Sequence, residues 1–274
     1  MSKSQISPIG LFDSGVGGLT VLKELAGMLP NENYLYFGDT ARIPYGEKTK
    51  EQLISYVRGI MEWFKSQNVK AVAMACNTSS ATAYDEVKND YDFPVFNIIE
   101  PTAEYISYLD AQKIGVIATS ATVNSKAYSK YIHKNNPETQ VYEQACPGLV
   151  ELVEHNRIDT FEAKKLVIKY VLPLLKENVD KIVLGCTHYP YLKHLIADVT
   201  GDEEMLINPA KHLSQKIMDV LMEQGMLNTD GEGTRKYYAS ANAQAFVEVG
   251  KRFYSDIQEA EELFIPEITN VYRA

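Results

Sequence analysis

Two short apolar runs, each ending in a cysteine and a cluster of polar groups, constrain this chain more than any other feature. In 181–191 (KIVLGCTHYPY), Ile182, Val183 and Leu184 read as a buried strand that Gly185 ends. Cys186, Thr187 and His188 follow at once. In 69–80 (VKAVAMACNTSS), a second apolar run ends in Cys76, Asn77 and Thr78. An open α/β sheet keeps its ligand outside the carboxyl ends of its strands. Both cysteines therefore fall where such a sheet would place a site.

The segments around them alternate between strand and helix patterns. Residues 6–12 read as a strand and Asp13-Ser14-Gly15-Val16-Gly17-Gly18 as a Gly-rich turn. Leu19, Leu22 and Leu25 then mark a helix that Gly27 ends. Such a unit can offer backbone N–H groups to an anion. It lacks both GxGxxG and GK[ST], so the glycines alone indicate only a tight turn with close packing. Asp13 and Ser14 at the strand end point instead to a site. Strand 33–38 precedes the loop from Asp39 to Gly46, where Arg42 reads as the ion-pair partner of Asp39. Helix 49–67 gathers Leu53, Val57, Ile60, Met61 and Phe64 on one face. A helix through 78–89, strand 93–99 and a turn opening at Glu100-Pro101 complete the first half.

The second half repeats this plan. Helix 101–109 leads to strand 113–118, ended by Thr119-Ser120-Ala121-Thr122. Strand 139–145 leads to Cys146-Pro147-Gly148, and a helix over 149–155 carries Glu151 and Glu154. A long helix follows, capped by Thr160, extending to about Asn178 and kinked at Pro173. After the Cys186 strand come strand 204–207 and a helix opened by Asn208-Pro209, with Gly225 as its C-cap. Beyond a polar turn at 228–233 lie a strand at 237–239, a helix capped by Asn242, and a peripheral strand or tail. The pattern predicts an α/β fold of two pseudo-symmetric lobes, each a mostly parallel sheet flanked by helices, with the active site in the interlobe cleft. The first lobe covers 1–98 with Asp13 and Cys76, and the second 99–207 with Cys186 and His188. Segment 208–274 returns to the first lobe.

Composition narrows the function. A net charge of -9 argues against a broad nucleic-acid or anionic-membrane surface, though not against a small anionic substrate. Three cysteines and an N-terminus without an export signal indicate a reducing cytoplasm rather than a disulfide framework. No apolar run approaches the roughly 20 residues that span a bilayer.

Two thiols facing one another equip a site for racemisation. One thiolate takes a Cα proton and the opposite thiol returns a proton to the other face. His188 stands two residues from Cys186, and Asp13 ends a strand that can lie beside the Cys76 strand. Both cysteines read as preceding helices, whose N-termini favour a thiolate. Ser14, Asn77, Thr78 and Thr187 are candidates to hold the α-carboxylate as charge moves onto it. A metal centre built from Cys76, Cys186 and His188 is disfavoured, because no C-x-x-C or H-x-x-x-H pair exists. Cys146 reads as structural, and His133, His155, His194 and His212 as ordinary helix or loop residues.

The stretches FDSGVGGLTV (12–21), GDTARIPYG (38–46), ACNTSSA (75–81), GVIATSATVNS (115–125) and GCTHYP (185–190), in this order, resemble the motifs of bacterial glutamate racemases. The resemblance extends from about residue 9 to about residue 254. It implies cofactor-independent interconversion of L- and D-glutamate, supplying D-glutamate for peptidoglycan. Cys76 would act on D-glutamate, assisted by Asp13, and Cys186 on L-glutamate, assisted by His188. A family glutamate eight residues after the Cys of a Cys-Pro pair falls on Glu154, with Glu151 as a neighbouring alternative. Ser14, Asn77, Thr78 and Thr187 would hold the amino and α-carboxylate groups. Pro44, Tyr45 and Gly46, with Thr119 or Thr122, would hold the side-chain carboxylate. The family is usually homodimeric, and some members need a cell-wall precursor as activator. The chain departs from the family at 149–154, where LVELVE replaces an FVPLVE-like run, and at 238–242, where YASAN replaces a Thr-Thr-Gly-type turn. Three rivals stand beside this reading: a racemase of another acidic amino acid such as aspartate, a cysteine-nucleophile hydrolase, and a non-catalytic amino-acid sensor.

Overall fold

The computed structural model describes residues 4–268. The first stretch builds β1 (Ile9–Asp13), α1 (Leu19–Met28), β2 (Tyr34–Gly38), α2 (Lys50–Ser66), β3 (Ala71–Met74), α3 (Asn77–Val87) and β4 (Val95–Asn97). Next come α4 (Ile99–Ser107), β5 (Lys113–Ala118), α5 (Ser120–Ser125), α6 (Ala127–Asn135), β6 (Gln140–Ala145), α7 (Leu149–Glu154) and α8 (Phe161–Lys176). Then follow β7 (Lys181–Gly185), α9 (Lys193–Thr200), β8 (Leu206–Ile207), α10 (Pro209–Glu223), β9 (Arg235–Ala239), α11 (Ala243–Gly250) and β10 (Glu261–Glu262).

The strands form two sheets, ordered β10-β9-β2-β1-β3-β4 and β6-β5-β7-β8. Every pairing among the described residues is parallel. Central parallel strands are covered on both faces and therefore tolerate unbroken apolar runs. Accordingly β1 and β3 are buried throughout, whereas the edge strand β6 (QVYEQA) is largely half-buried. One apolar cluster joins Leu11 and Ala73 of the first sheet to Val116 and Val183 of the second through α1, α4 and α10. A second cluster packs α8 and α9 under Leu184, and a third packs α2 under Phe12 and Phe37. The polar residues that follow the central strands are thereby set at the carboxyl edges of both sheets.

Local chemistry explains where the elements depart from expectation. α4 begins at Ile99, two residues early, because Asn97 accepts from the N–H groups of Ile99 at 2.9 Å and Glu100 at 2.8 Å. Pro101 then sits in the first turn, where its missing N–H costs nothing. The segment after Thr119 is helical although it carries no apolar periodicity: Thr119 caps α5, and Lys126, at φ 56°, breaks it from α6. Gly27 lies inside α1 rather than ending it, and Pro173 lies inside α8. Asn208 and Asn242 cap α10 and α11 as their positions suggest. Of the expected C-terminal tail, residues 269–274 lie outside the described residues.

One buried ion pair ties distant segments to the first sheet. Lys70, entering β3, places its ammonium 2.5 Å from Glu32 and donates to the carbonyls of Gln5 and Met226 at 2.5 and 2.7 Å. Glu32 accepts from the backbone N–H of Asn228 at 2.8 Å. Both side chains are at most 1% exposed. Burial lowers the pKa of the Lys70 ammonium, against the upward pull of Glu32. Removing one partner of such a pair strands the other charge, at a cost of about 3–5 kcal/mol. Lys70→Met should lose stability of that order in urea denaturation. Adding Glu32→Gln, which removes the stranded charge, should recover part of the loss.

Candidate active site

The carboxyl ends of β1, β3, β5 and β7 converge on a cavity of about 270 Å³. The turn after β1 opens it. Asp13 is fully buried and accepts from the N–H of Gly15 at 3.0 Å and from the Thr187 hydroxyl at 3.1 Å. Burial pushes the Asp13 carboxyl above its ordinary pKa, while the nearby charge of His188 and these hydrogen bonds pull it down. The turn is glycine-rich because neighbours leave no room for a side chain. A Cβ on Gly17 would collide with the Thr187 hydroxyl and lie 2.6 Å from His188 Nδ1, and one on Gly18 would lie 2.5 Å from Asp13 Cβ.

Cys76 caps α3 just beyond β3, which pairs directly with β1. Burial pushes its thiol up to about 12, and the Asp13 charge adds to the shift. Asn77 follows, its Oδ1 accepting from the Tyr128 hydroxyl at 2.6 Å. Its Nδ2 is buried with no hydrogen-bond partner among the described residues. Thr78 shares a hydroxyl cluster with Thr119 at 2.9 Å and Thr122 at 3.4 Å. Thr78 and Thr119 line the cavity; Thr122 is fully buried behind them.

On the opposite side, the Cys186 sulfur lies 3.7 Å from His188 Nδ1, and His188 Nε2 lies 2.6 Å from Glu154 Oε1. Burial opposes charge on His188, but the contacts with Cys186 and Glu154 outweigh it and hold the imidazole well above its usual pKa. The expected helix directly after Cys186 is absent. A 3₁₀ turn starts at Tyr189 and α9 only at Lys193, so His188 stands beside this sulfur where α3 stands beside Cys76.

The loop after β2 forms the cavity mouth. Arg42 makes the expected ion pair, donating to both oxygens of Asp39 at 2.9 Å. Tyr45 is buried, donates its hydroxyl to Asp39 at 2.5 Å and accepts from the Lys48 N–H at 3.1 Å through its carbonyl, so its phenol proton is already committed within the loop. Pro44, Gly46 and Ser14 also line the cavity, and a Cβ on Gly46 would lie 3.0 Å from Thr119 Cβ.

Of the residues singled out in the sequence, Ser14, Pro44, Tyr45, Gly46, Cys76, Asn77, Thr78, Thr119, Cys186, Thr187 and His188 share this cavity. Asp13, Thr122 and Glu154 stand behind it, each hydrogen-bonded to a residue that lines it. Glu151 lines the cavity but does not pair with His188. Cys146, Pro147 and Gly148 form part of the wall, which the reading of Cys146 as a structural residue did not anticipate. Their signal was the break after β6, at the same strand end as Thr119 in β5. Among the described residues no three His, Cys, Asp or Glu side chains converge as metal ligands.

This geometry has known counterparts. The Asp/Glu/hydantoin racemase family matches residues 17–215. The glutamate racemase of Rippkaea orientalis is 40% identical over 270 residues, 98% of this chain and 96% of that protein. The crystal structure of Francisella tularensis glutamate racemase in complex with D-glutamate superposes with a TM-score of 0.89 at 36% identity, covering 94% of this chain and 98% of that one. The Escherichia coli enzyme, solved with L-glutamate and the activator UDP-MurNAc-Ala, gives a TM-score of 0.77 at 25% identity, covering 95% and 99%. With a family match over most of its length, a relative of this similarity and a cavity bounded by two thiols, the chain belongs to the glutamate racemases of the Asp/Glu/hydantoin racemase family.

Proposed function

We propose that this protein interconverts L- and D-glutamate without a cofactor, passing the Cα proton between Cys186 and Cys76. The observation that carries the reading is the unequal setting of two thiols on one cavity. Cys186 sits against a histidine held as its cation by Glu154, and Cys76 is kept as a neutral thiol by burial. The L-to-D direction begins with a thiolate at Cys186 and a thiol at Cys76. The Cys186 thiolate takes the Cα proton, electrons move onto the α-carboxylate, and the Cys76 thiol gives its proton to the opposite face. The enzyme is left with a thiol at Cys186 and a thiolate at Cys76, the state that accepts D-glutamate.

Binding follows from the same walls. Asn77 Nδ2, buried and unpaired among the described residues, suits the α-carboxylate, where donors count most as charge develops. Thr187 donates to Asp13, so its oxygen remains an acceptor for the substrate ammonium, with Ser14 beside it. The side-chain carboxylate suits the Thr78–Thr119 hydroxyls, backed by Thr122, and the backbone N–H groups of Tyr45 and Gly46 beside Pro44. Asp13 governs the ionisation of Cys76 by its charge, and Glu154 acts through His188.

The wider reading has lobes 1–98 and 99–207, with segment 208–274 completing the first, which the pairing of β9 with β2 supports. It also includes a homodimer in the cytoplasm, supplying D-glutamate for peptidoglycan. Regulation by a cell-wall precursor is supported by the E. coli complex.

Purified protein under reducing conditions, without pyridoxal phosphate or metal, should bring L-glutamate to a racemic mixture and leave aspartate largely unchanged. Glutamate that keeps its optical activity, with and without UDP-MurNAc-Ala, would contradict the reading. General acid–base groups contribute about 10²–10⁴-fold, so Cys76→Ser and Cys186→Ser should each lose at least that much. Because the equilibrium constant between enantiomers is one, kcat/KM must fall equally in both directions. Any asymmetry between the thiols appears only in kcat and KM taken separately.

The Cys76 thiol, pushed up to about 12, should show a second signature. Only the thiolate is nucleophilic, so Cys76 alkylation by iodoacetamide should rise about tenfold per pH unit from 7 to 9.5 without levelling. Mass spectrometry of the Cys76 peptide measures this, and a plateau near pH 8.5 would place the thiol at its ordinary pKa.

A further inference from the structure

We infer that Tyr128 is a positioning residue for the racemisation, holding the Asn77 amide with its donor end toward the substrate and spacing the two cysteine-bearing strand ends. The inference rests on the functional reading above and concerns a residue outside the cavity. Tyr128 is in the first turn of α6 and is fully buried. Its hydroxyl donates to Oδ1 of Asn77, the residue after Cys76, at 2.6 Å. Its ring packs against the other cysteine loop: a Cβ on Gly185, the residue before Cys186, would lie 3.2 Å from Tyr128 Cε2. One side chain thus touches both strand ends from behind.

The consequence for chemistry lies in the orientation of the amide. An Asn side chain has a donor end and an acceptor end of nearly equal shape. With Oδ1 bound to the phenol, Nδ2 takes the other direction, where it is buried and has no hydrogen-bond partner among the described residues. Turned over, the amide would face the substrate carboxylate with its oxygen, and the phenol would lose its acceptor. Burial and the nearby Cys186 keep the phenol protonated, so it remains a donor throughout. Tyr128 therefore acts by excluding the unproductive amide orientation. The residues that form the bond are 51 apart in sequence, so no local turn supplies it.

Tyr128→Phe keeps the ring against Gly185 and removes only the hydroxyl. It should fold, melt within about 3 °C of the wild type, and lose about 10- to 100-fold in kcat/KM. A double-mutant cycle separates orientation from general support. In an Asn77→Ala background, Tyr128→Phe should change the rate by less than about twofold, because no amide is left to orient. Deuterium wash-in at Cα, followed by mass spectrometry over hours, keeps the slow variants measurable. Wild-type kcat/KM in Tyr128→Phe, an undiminished loss in the Asn77→Ala background, or a Phe variant that does not fold would each overturn the assignment. The wild-type control separates this from the underlying reading. A wild type that leaves glutamate unchanged contradicts the racemase function, whereas a fully active Phe variant beside an active wild type contradicts only the role of Tyr128.

Discussion

Burial resists charge on a thiol, and the proposed racemisation needs one of two buried thiols to be charged at any moment. The surrounding structure answers that constraint unequally. Around Cys186, Glu154 stabilises a histidine cation that can face a thiolate. Around Cys76, the Asp13 carboxylate adds to the desolvation penalty and keeps the sulfur protonated, while the start of α3 supplies the N–H groups that soften the penalty once the proton has left. The two thiols therefore sit in unlike electrostatic settings, one beside a histidine cation and one beside a buried carboxyl group.

The remaining architecture sets these environments against each other. The two sheets end their central strands at the same cavity, and one apolar cluster runs through both. The turn after β1 reaches across to the Cys186 loop so closely that Gly17 has no space for a side chain. Asp13 is hydrogen-bonded to Thr187, so the carboxylate that tunes one thiol is held by the loop that carries the other. The electrostatics of the two bases are therefore linked through a direct contact as well as through the substrate.

Much of this was legible in the sequence because parallel strands buried on both faces announce themselves. A run such as Val72–Met74 can only be interior, and polar residues directly after it can only lie at a sheet edge. Thus Cys76, Cys186, Asp13 and Thr119 could be placed by position alone. Glu154 and Glu151 lie three apart on one short helix, so periodicity could not choose between them; the choice came from family resemblance, and the structure pairs Glu154 with His188. Tyr128 gave no signal, because α6 follows a polar segment and the bond to Asn77 is wholly tertiary. The Tyr45 phenol was also unreadable, since its partner Asp39 already had an obvious partner in Arg42.

The two-thiol account is tested most directly by racemising L-glutamate in D₂O and reading both enantiomers at low conversion. Separate donors predict deuterium at Cα in every D-glutamate formed and almost none in the remaining L-glutamate, because Cys76 delivers a solvent-exchanged deuteron and Cys186 carries the substrate's own proton. D-glutamate that keeps its original hydrogen, or an L-glutamate pool that gains deuterium as fast as product forms, would mean a single base serving both faces and would contradict the account.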